Sequence, residues 1–316
     1  MSKIVLMFPG QGSQKVGMGK DFYNKYSLAK VIIDLLDSKV KEIMFDGPAT
    51  MLRMTKYTQP SIFIVSLAIL EVLKTYYNFT YDNVITMGHS LGEYSALCAA
   101  GFFDIQSGLN MVNTRAELLQ QATITNPGTM VAIIGLNKTI VNNICYQVVS
   151  DGSYGICEAV NFNAPKQVVI SGNINAVKEA VRRFNLNYNK VKTVYLNVEG
   201  AFHSSLMTVV ATRMKLELNK YTFKMPYLNV YTNYDALLTT EPSLIKEKLK
   251  NQINNPVRWD DCVQNAISRG YNIFIEIGPG QVLSSLVKKI DIKKCTKVLH
   301  IEDLHTLELT LEALQK

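Results

Sequence analysis

The stretch "MGHSLGEYSALCAAG", Met87–Gly101, sets a serine between two glycines at two-residue spacing: Gly88, Ser90 and Gly92. Before it, "NVITMG" (83–88) reads as a short buried strand. After it, "LGEYSALCAAG" (91–101) reads as a helix rich in small residues. A serine at a sharp strand-to-helix turn is a nucleophile elbow, in which glycines permit the tight turn and the close approach of the helix. The helix N-terminus favours negative charge beside Ser90. A serine in that place can also simply cap the helix, so the reading depends on what else the chain supplies.

A serine hydroxyl needs a base. The chain has four histidines, His89, His203, His300 and His305. His89 adjoins Ser90, so its side chain should leave the turn in another direction. His300 and His305 flank "IED" (301–303) and read as surface or sheet-edge residues. His203, in "VEGAFHSSLM" (198–207), is the base by elimination, against the plain alternative of a hydrogen-bonded structural histidine. An oxyanion hole needs two donors. One is the backbone N–H of Leu91, directly after the nucleophile. The other must come from a separate loop, and "FPGQGSQ" (8–14) follows the first strand, where an α/β sheet places its site loops. The amide of Gln11 is the candidate there. Alone, such a loop is only a turn, and its spacing matches no phosphate-binding motif.

"QSGLNMVNTRAELLQQA" (106–122) has helical periodicity, and Arg115 shares a face with Val112 and Leu119. A guanidinium on an apolar stripe needs an anion, because an unpaired buried charge is costly. It can snorkel to solvent or pair with a structural carboxylate, or it can aim its fork at a substrate carboxylate.

Further out, the strand-like runs "KIVLMF" (3–8), "NVITMG", "NIFIEIG" (272–278) and "KVLHI" (297–301) alternate with helical patterns. "LAKVIIDLLDSKVKEIM" (28–44) and "PSIFIVSLAILEVLKTYY" (60–77) are two of these. That alternation predicts an α/β fold with a mainly parallel sheet. Residues 126–198 read differently. Strand "TMVAIIG", helix "NKTIVNNICYQVV", a hairpin bent at "NAP", helix "NAVKEAVRRFN" and strand "KTVYLNV" give the β-α-β-β-α-β order of a ferredoxin-like unit. The expected fold is therefore a hydrolase-like α/β catalytic domain (1–125 and 199–316) with an inserted ferredoxin-like α+β subdomain (126–198).

Composition narrows the function classes. Of 316 residues, 47% are hydrophobic and 19% charged, a globular balance. No uninterrupted apolar run reaches the ~18–20 residues of a membrane span. The longest, "SIFIVSLAIL" (61–70), reads as a buried helix, and "KIVLMFPG" as a first strand rather than a leader. Cys98, Cys145, Cys157, Cys262 and Cys295 show no metal-ligand or disulfide spacing, so a reducing cytoplasm and no metal site are expected. The net charge of +7 is spread out, with mild clusters at Arg182–Arg183 and Lys288–Lys294. No aromatic-interleaved basic stripe suggests nucleic acid. The charge suits an acidic protein or a phosphorylated small molecule, or is an ordinary solvated surface.

With "FPGQGSQ", "GHSLGEYSAL", Arg115 in its helix, "AFHS" (201–204) and "NPVRW" (255–259) in this order, the sequence resembles the malonyl-CoA:acyl-carrier-protein transacylases of type II fatty acid synthesis. The resemblance spans essentially the whole chain, including the inserted unit and "IEIGPGQVL" (275–283). It implies that Ser90 is acylated and that His203 is the base. It also implies that Arg115 binds the free carboxylate of malonate and that the Gln11 and Leu91 amides hold the thioester oxygen. Gln252, in "QINNPVRW", matches the residue whose main-chain carbonyl orients the histidine, and no acidic residue stands out as a third triad member. "AFH" resembles malonyl-selective members, with Phe202 where methylmalonyl-selective relatives carry smaller residues, although "GAFHSSLM" departs from the "PSH" of many bacterial members. The expected partners are malonyl-CoA and acyl carrier protein, with no nucleic acid, membrane or cofactor, and the chain is expected to act as a monomer. A serine hydrolase or thioesterase, and a non-catalytic scaffold, are the competing readings.

Overall fold

The computed structural model describes residues 2–198, 200–291, 293 and 296–315. Ten strands fall into two sheets. In the larger sheet, β1 (Ile4–Phe8), β2 (Val84–Gly88), β7 (Asn229–Tyr231), β8 (Leu238–Thr239), β9 (Ile273–Ile277) and β10 (Lys297–Ile301) lie in the order β10-β9-β1-β2-β7-β8. All pairings are parallel except the short β7–β8 pair. Every residue of β1 and β2 is buried. Helices cover both faces of a parallel sheet, which is why these strands read as continuous apolar runs rather than alternating ones.

The chain leaves β1 toward β2 on one side and returns later through β9 on the other. The loops after β1 and β9 therefore diverge at the strands' C-terminal ends and open a crevice there, the usual ligand position in open α/β sheets. The turn after β2 opens at the same end and carries Ser90.

The second sheet contains β3 (Gly128–Ile134), β4 (Cys157–Ala164), β5 (Gln167–Asn173) and β6 (Lys192–Tyr195) in the order β4-β5-β3-β6, all antiparallel. Helices Lys138–Ser150 and Ile174–Asn187 pack on it around a separate core that includes Val131, Ile133, Val141, Ile170 and Phe184. The "NPVRW" segment is stitched to this sheet. The Val257 N–H donates to the Val160 carbonyl at 2.8 Å, and the Phe162 N–H to the Val257 carbonyl at 2.9 Å.

Two expectations change. The run 28–44 is two helices, Ser27–Ile33 and Ser38–Asp46. Asp37 starts the second by accepting a hydrogen bond from the Lys39 N–H at 2.8 Å, so a local cap overrides a periodicity that continues through it. The helix Thr55–Tyr76 is, by length and composition, long and apolar enough to cross a membrane, although no uninterrupted apolar run is. Of its most apolar window, 83% is buried inside the protein, as a core helix requires. Cys98, Cys145, Cys157 and Cys262 are free thiols in the core; Cys295 and Lys294 lie outside the described residues.

Candidate active site

The elbow is built by close backbone packing. A Cβ on Gly88 would lie 1.9 Å from the Gly92 carbonyl oxygen, and one on Gly92 would lie 2.0 Å from that of Phe8. Only hydrogen fits at either place. Ser90 itself holds φ 54°, the left-handed region that a side chain resists. Asn233, beyond β7, holds it there: its Oδ1 accepts from the Ser90 N–H and its Nδ2 donates to the Gly88 carbonyl, both at 2.7 Å. The same packing brings the loop after β1 against the elbow, where the His89 N–H donates to the Phe8 carbonyl at 3.0 Å. Gln11 thereby lines the same cavity as Ser90, Leu91 directly follows the serine, and among the described residues neither backbone N–H donates a hydrogen bond.

Ser90 Oγ and His203 Nε2 are 2.7 Å apart, although 113 residues separate them. His203 Nδ1 lies 2.8 Å from the Gln252 carbonyl oxygen. A carbonyl can only accept, so Nδ1 carries the proton and Nε2 is free to accept from the serine. His203 is buried, and burial first, then the nearby Arg115 charge, lowers its pKa to about 3. At neutral pH the imidazole is uncharged, and its Nε2 lone pair faces the Ser90 hydroxyl.

Arg115 is 2% exposed. The expected partners were a structural carboxylate, solvent or a ligand. In the structure its hydrogen bonds go to neutral groups: Gln59 Oε1 at 2.6 Å, Ser90 Oγ at 3.1 Å and Gln252 Oε1 at 3.2 Å. Burial lowers its pKa, but an arginine guanidinium keeps its proton in proteins. A fixed positive charge therefore stands beside the serine hydroxyl.

Ser90, His203, Arg115, Gln11 and Phe202 line one cavity of about 70 Å³, walled also by Met130 and Asn161 of the second sheet. By that measure one water needs roughly 10–15 Å³, so the cavity suits a short acyl group. A larger space of about 450 Å³ adjoins it, sharing Gln11, His89, Asn161, Leu196 and Val198. It lies between the loop after β1, the first turns of the helix Val282–Ile290 and the second sheet, with Gly12, Leu286 and Val169 in its wall.

His89 does turn from the serine. Its Nε2 lies 2.8 Å from Asn163 Oδ1 and its ring 5.8 Å from that of Trp259, but it still lines both cavities. His300 is on the edge strand β10 and His305 is exposed, so neither joins the site. Among the described residues, no three or more His, Cys, Asp or Glu side chains group so as to hold a metal ion. Sequence reasoning missed three buried groups: Gln59, Asn233 and Glu93. Gln59, a polar side chain beside Pro60 in the second turn of the apolar helix Thr55–Tyr76, was a usable signal for the first; the others had none.

A strained serine on an elbow, with a neutral histidine on its oxygen, defines a serine-dependent acyl-transfer or hydrolysis site. A family model described as "Acyl transferase domain" matches residues 5–303, and the chain belongs to that family. It is 38% identical over 320 residues to the malonyl CoA-acyl carrier protein transacylase of Bacillus subtilis (strain 168), covering 100% of this chain and 98% of that protein. The crystal structure of the malonyl CoA-acyl carrier protein transacylase from Clostridium perfringens superposes with a TM-score of 0.91 at 34% identity, over 99% of this chain and 98% of that one. A malonyl-transacylase in complex with a holo type II PKS acyl-carrier protein matches with a TM-score of 0.91 at 32% identity, over 99% and 100%.

Proposed function

We propose that this chain moves a malonyl group from malonyl-CoA to the phosphopantetheine thiol of acyl carrier protein through a malonyl ester of Ser90. The observation that carries this is Arg115: a buried cation with no carboxylate partner among the described residues, 3.1 Å from the nucleophilic oxygen. A site for plain ester hydrolysis would gain nothing from a buried charge at that distance, whereas malonate brings the missing anion.

The thioester enters through the larger cavity and places its acyl end in the smaller one. His203 Nε2 takes the Ser90 proton as Oγ attacks the thioester carbonyl. The Gln11 and Leu91 amides receive the oxyanion, and the Gln252 carbonyl steadies the imidazolium through Nδ1–H. CoA leaves with the proton from His203, and malonyl-Ser90 remains. The carrier thiol then gives its proton to His203 and attacks the ester carbonyl. Ser90 leaves and regains that proton, which completes a ping-pong cycle. The scheme uses no metal or redox cofactor, since the acyl group and the protons stay on the groups named.

The small sheet's strand order supports the ferredoxin-like reading of 126–198, and the elbow at the end of β2 supports the hydrolase-like reading of the core. One chain supplies every group in the scheme, so we read the working unit as a monomer. Fatty acid synthesis on a soluble carrier and the free buried cysteines support a cytoplasmic reading.

Intact mass after mixing with malonyl-CoA tests the reading. The wild type should gain one malonyl group and Ser90→Ala none. Arg115→Ala should lose malonyl transfer while sparing or favouring acetyl transfer, with a cost of ~2–5 kcal/mol for malonyl. A proportional fall in both would make Arg115 structural. Fast turnover without carrier protein would favour a hydrolase, and an unlabelled wild type a scaffold.

A further inference from the structure

Glu93 is fully buried beneath the elbow, in the first turn of the helix Gly92–Ala100, and the scheme above does not use it. Its Oε2 accepts from Gln252 Nε2 at 2.7 Å and from the Asn233 N–H at 3.2 Å, while Oε1 has no hydrogen-bond partner among the described residues. Gln252 Nε2 also donates to the Ser90 carbonyl at 2.8 Å, and the other end of the same amide, Oε1, accepts from Arg115 Nη2 at 3.2 Å. One side-chain amide thus lies between a buried carboxyl group and a buried guanidinium, its dipole aligned with both.

The arrangement has a consequence for selection. A carboxylate placed directly on Arg115 would satisfy the guanidinium and occupy the fork that a substrate carboxylate needs. An arginine without support would be costly to bury and free to swing. An amide held at its far end avoids both. It supplies a neutral acceptor at one nitrogen and leaves the charge available. We infer that Glu93 is a positioning residue for acyl-group selection, fixing the Gln252 side-chain amide so that this amide holds Arg115 without quenching it. The inference rests on the malonyl reading of Arg115.

The test compares single-turnover acylation of Ser90 by malonyl-CoA and by acetyl-CoA, each read by intact mass. A merely structural role moves both rates together, whereas positioning through Arg115 moves their ratio. Glu93→Leu fills the space without an acceptor, and Gln252→Met removes the amide while keeping the main-chain carbonyl on His203. Each should lower the malonyl-to-acetyl ratio by roughly ten- to a hundredfold, the worth of a charge-assisted hydrogen bond. Glu93→Gln keeps an acceptor oxygen and should stay within about threefold of wild type on the same scale. An unchanged ratio in Glu93→Leu or in Gln252→Met overturns the inference, as does a Glu93→Gln ratio as low as that of Glu93→Leu. If the Glu93 variants fail to fold by circular dichroism, Gln252→Met decides alone: a lowered ratio upholds the relay and an unchanged one overturns it. A wild type that takes no malonyl group refutes the malonyl reading instead.

Discussion

Ser90 and His203, 2.7 Å apart at Oγ and Nε2, both sit in the left-handed backbone region, at φ 54° and 62°. Non-glycine residues held there cost of order 1–3 kcal/mol each and persist only where neighbours over-determine them. For Ser90 that neighbour is Asn233, bonded to the backbone on both sides of His89. Asn233→Ala should therefore lower the Ser90 acylation rate and reduce stability by ~1–3 kcal/mol, the cost of leaving buried backbone groups unpaired. Urea denaturation and single-turnover kinetics measure the two effects. Wild-type acylation by Asn233→Ala would mean the glycines alone set the elbow.

Phe202 is 8% exposed and lines the small cavity with Arg115 and Ser90. Its ring should crowd an α-methyl group on the acyl chain. Phe202→Ser should raise methylmalonyl relative to malonyl turnover, by an amount set by the ~1–3 kcal/mol that one methylene is worth in a pocket. Competition between the two thioesters reads the ratio directly. No change in it would make Phe202 a core residue rather than a selector.

What could be read in advance follows from how locally each feature is encoded. The elbow needs glycines at two fixed offsets from one serine, so its sequence is its signature. His203 was reachable because the chain has so few histidines. Arg115 stood out as a charge on an apolar stripe, and the structure buries it with Val112 and Leu119. The group on His203 Nδ1 is a main-chain carbonyl, which every residue carries, so Gln252 could be assigned only through the family resemblance. Asn233 and Glu93 are ordinary polar residues in sequence. Only the approach of β7 and of the helix Pro242–Gln252 to the elbow gives them work. The break at Asp34–Asp37 was hidden because apolar spacing runs on through a capping residue.

Two buried groups make stability depend on pH in opposite directions. Burial raises the Glu93 pKa from 4.5 to about 7, against the pull of its Gln252 and Asn233 hydrogen bonds. The folded state then keeps a proton that the unfolded state has lost between those values, so stability falls as pH rises through the window. Burial and Arg115 lower His203 from 6.5 to about 3. There the unfolded state binds the proton first, and stability falls as pH drops below 6.5. Each slope approaches ~1.4 kcal/mol per pH unit, and they oppose between pH 4.5 and 6.5. Urea midpoints should show Glu93→Gln losing less than wild type from pH 5 to 7. His203→Ala should lose less from pH 6.5 to 5. Parallel curves for all three proteins would refute the assignment.

Acyl carrier proteins are acidic and this chain carries +7, so association should be steered by charge. The structure separates the two basic clusters. Arg182 and Arg183 both bond Glu179, and Arg183 also pairs with Asp151, so that patch is largely neutralised within the small unit. Lys190 and Lys192 are exposed beyond it. Lys288 and Lys289 are exposed at the end of the helix Val282–Ile290, whose first turns line the larger cavity. Lys289 also reaches Gln167 of β5 at 2.8 Å, across the mouth between the two sheets. A phosphopantetheine arm entering there would bring its carrier against these lysines. Reversing Lys288 and Lys289 to glutamate should raise the KM for carrier protein and leave Ser90 acylation by malonyl-CoA nearly unchanged. Reversing Arg182 and Arg183 should do much less. The wild-type KM should rise with salt as the Debye length shrinks from ~10 Å at 0.1 M to ~3 Å at 1 M. If neither reversal moves that KM, the positive charge is a solvated surface and steering plays no part in docking.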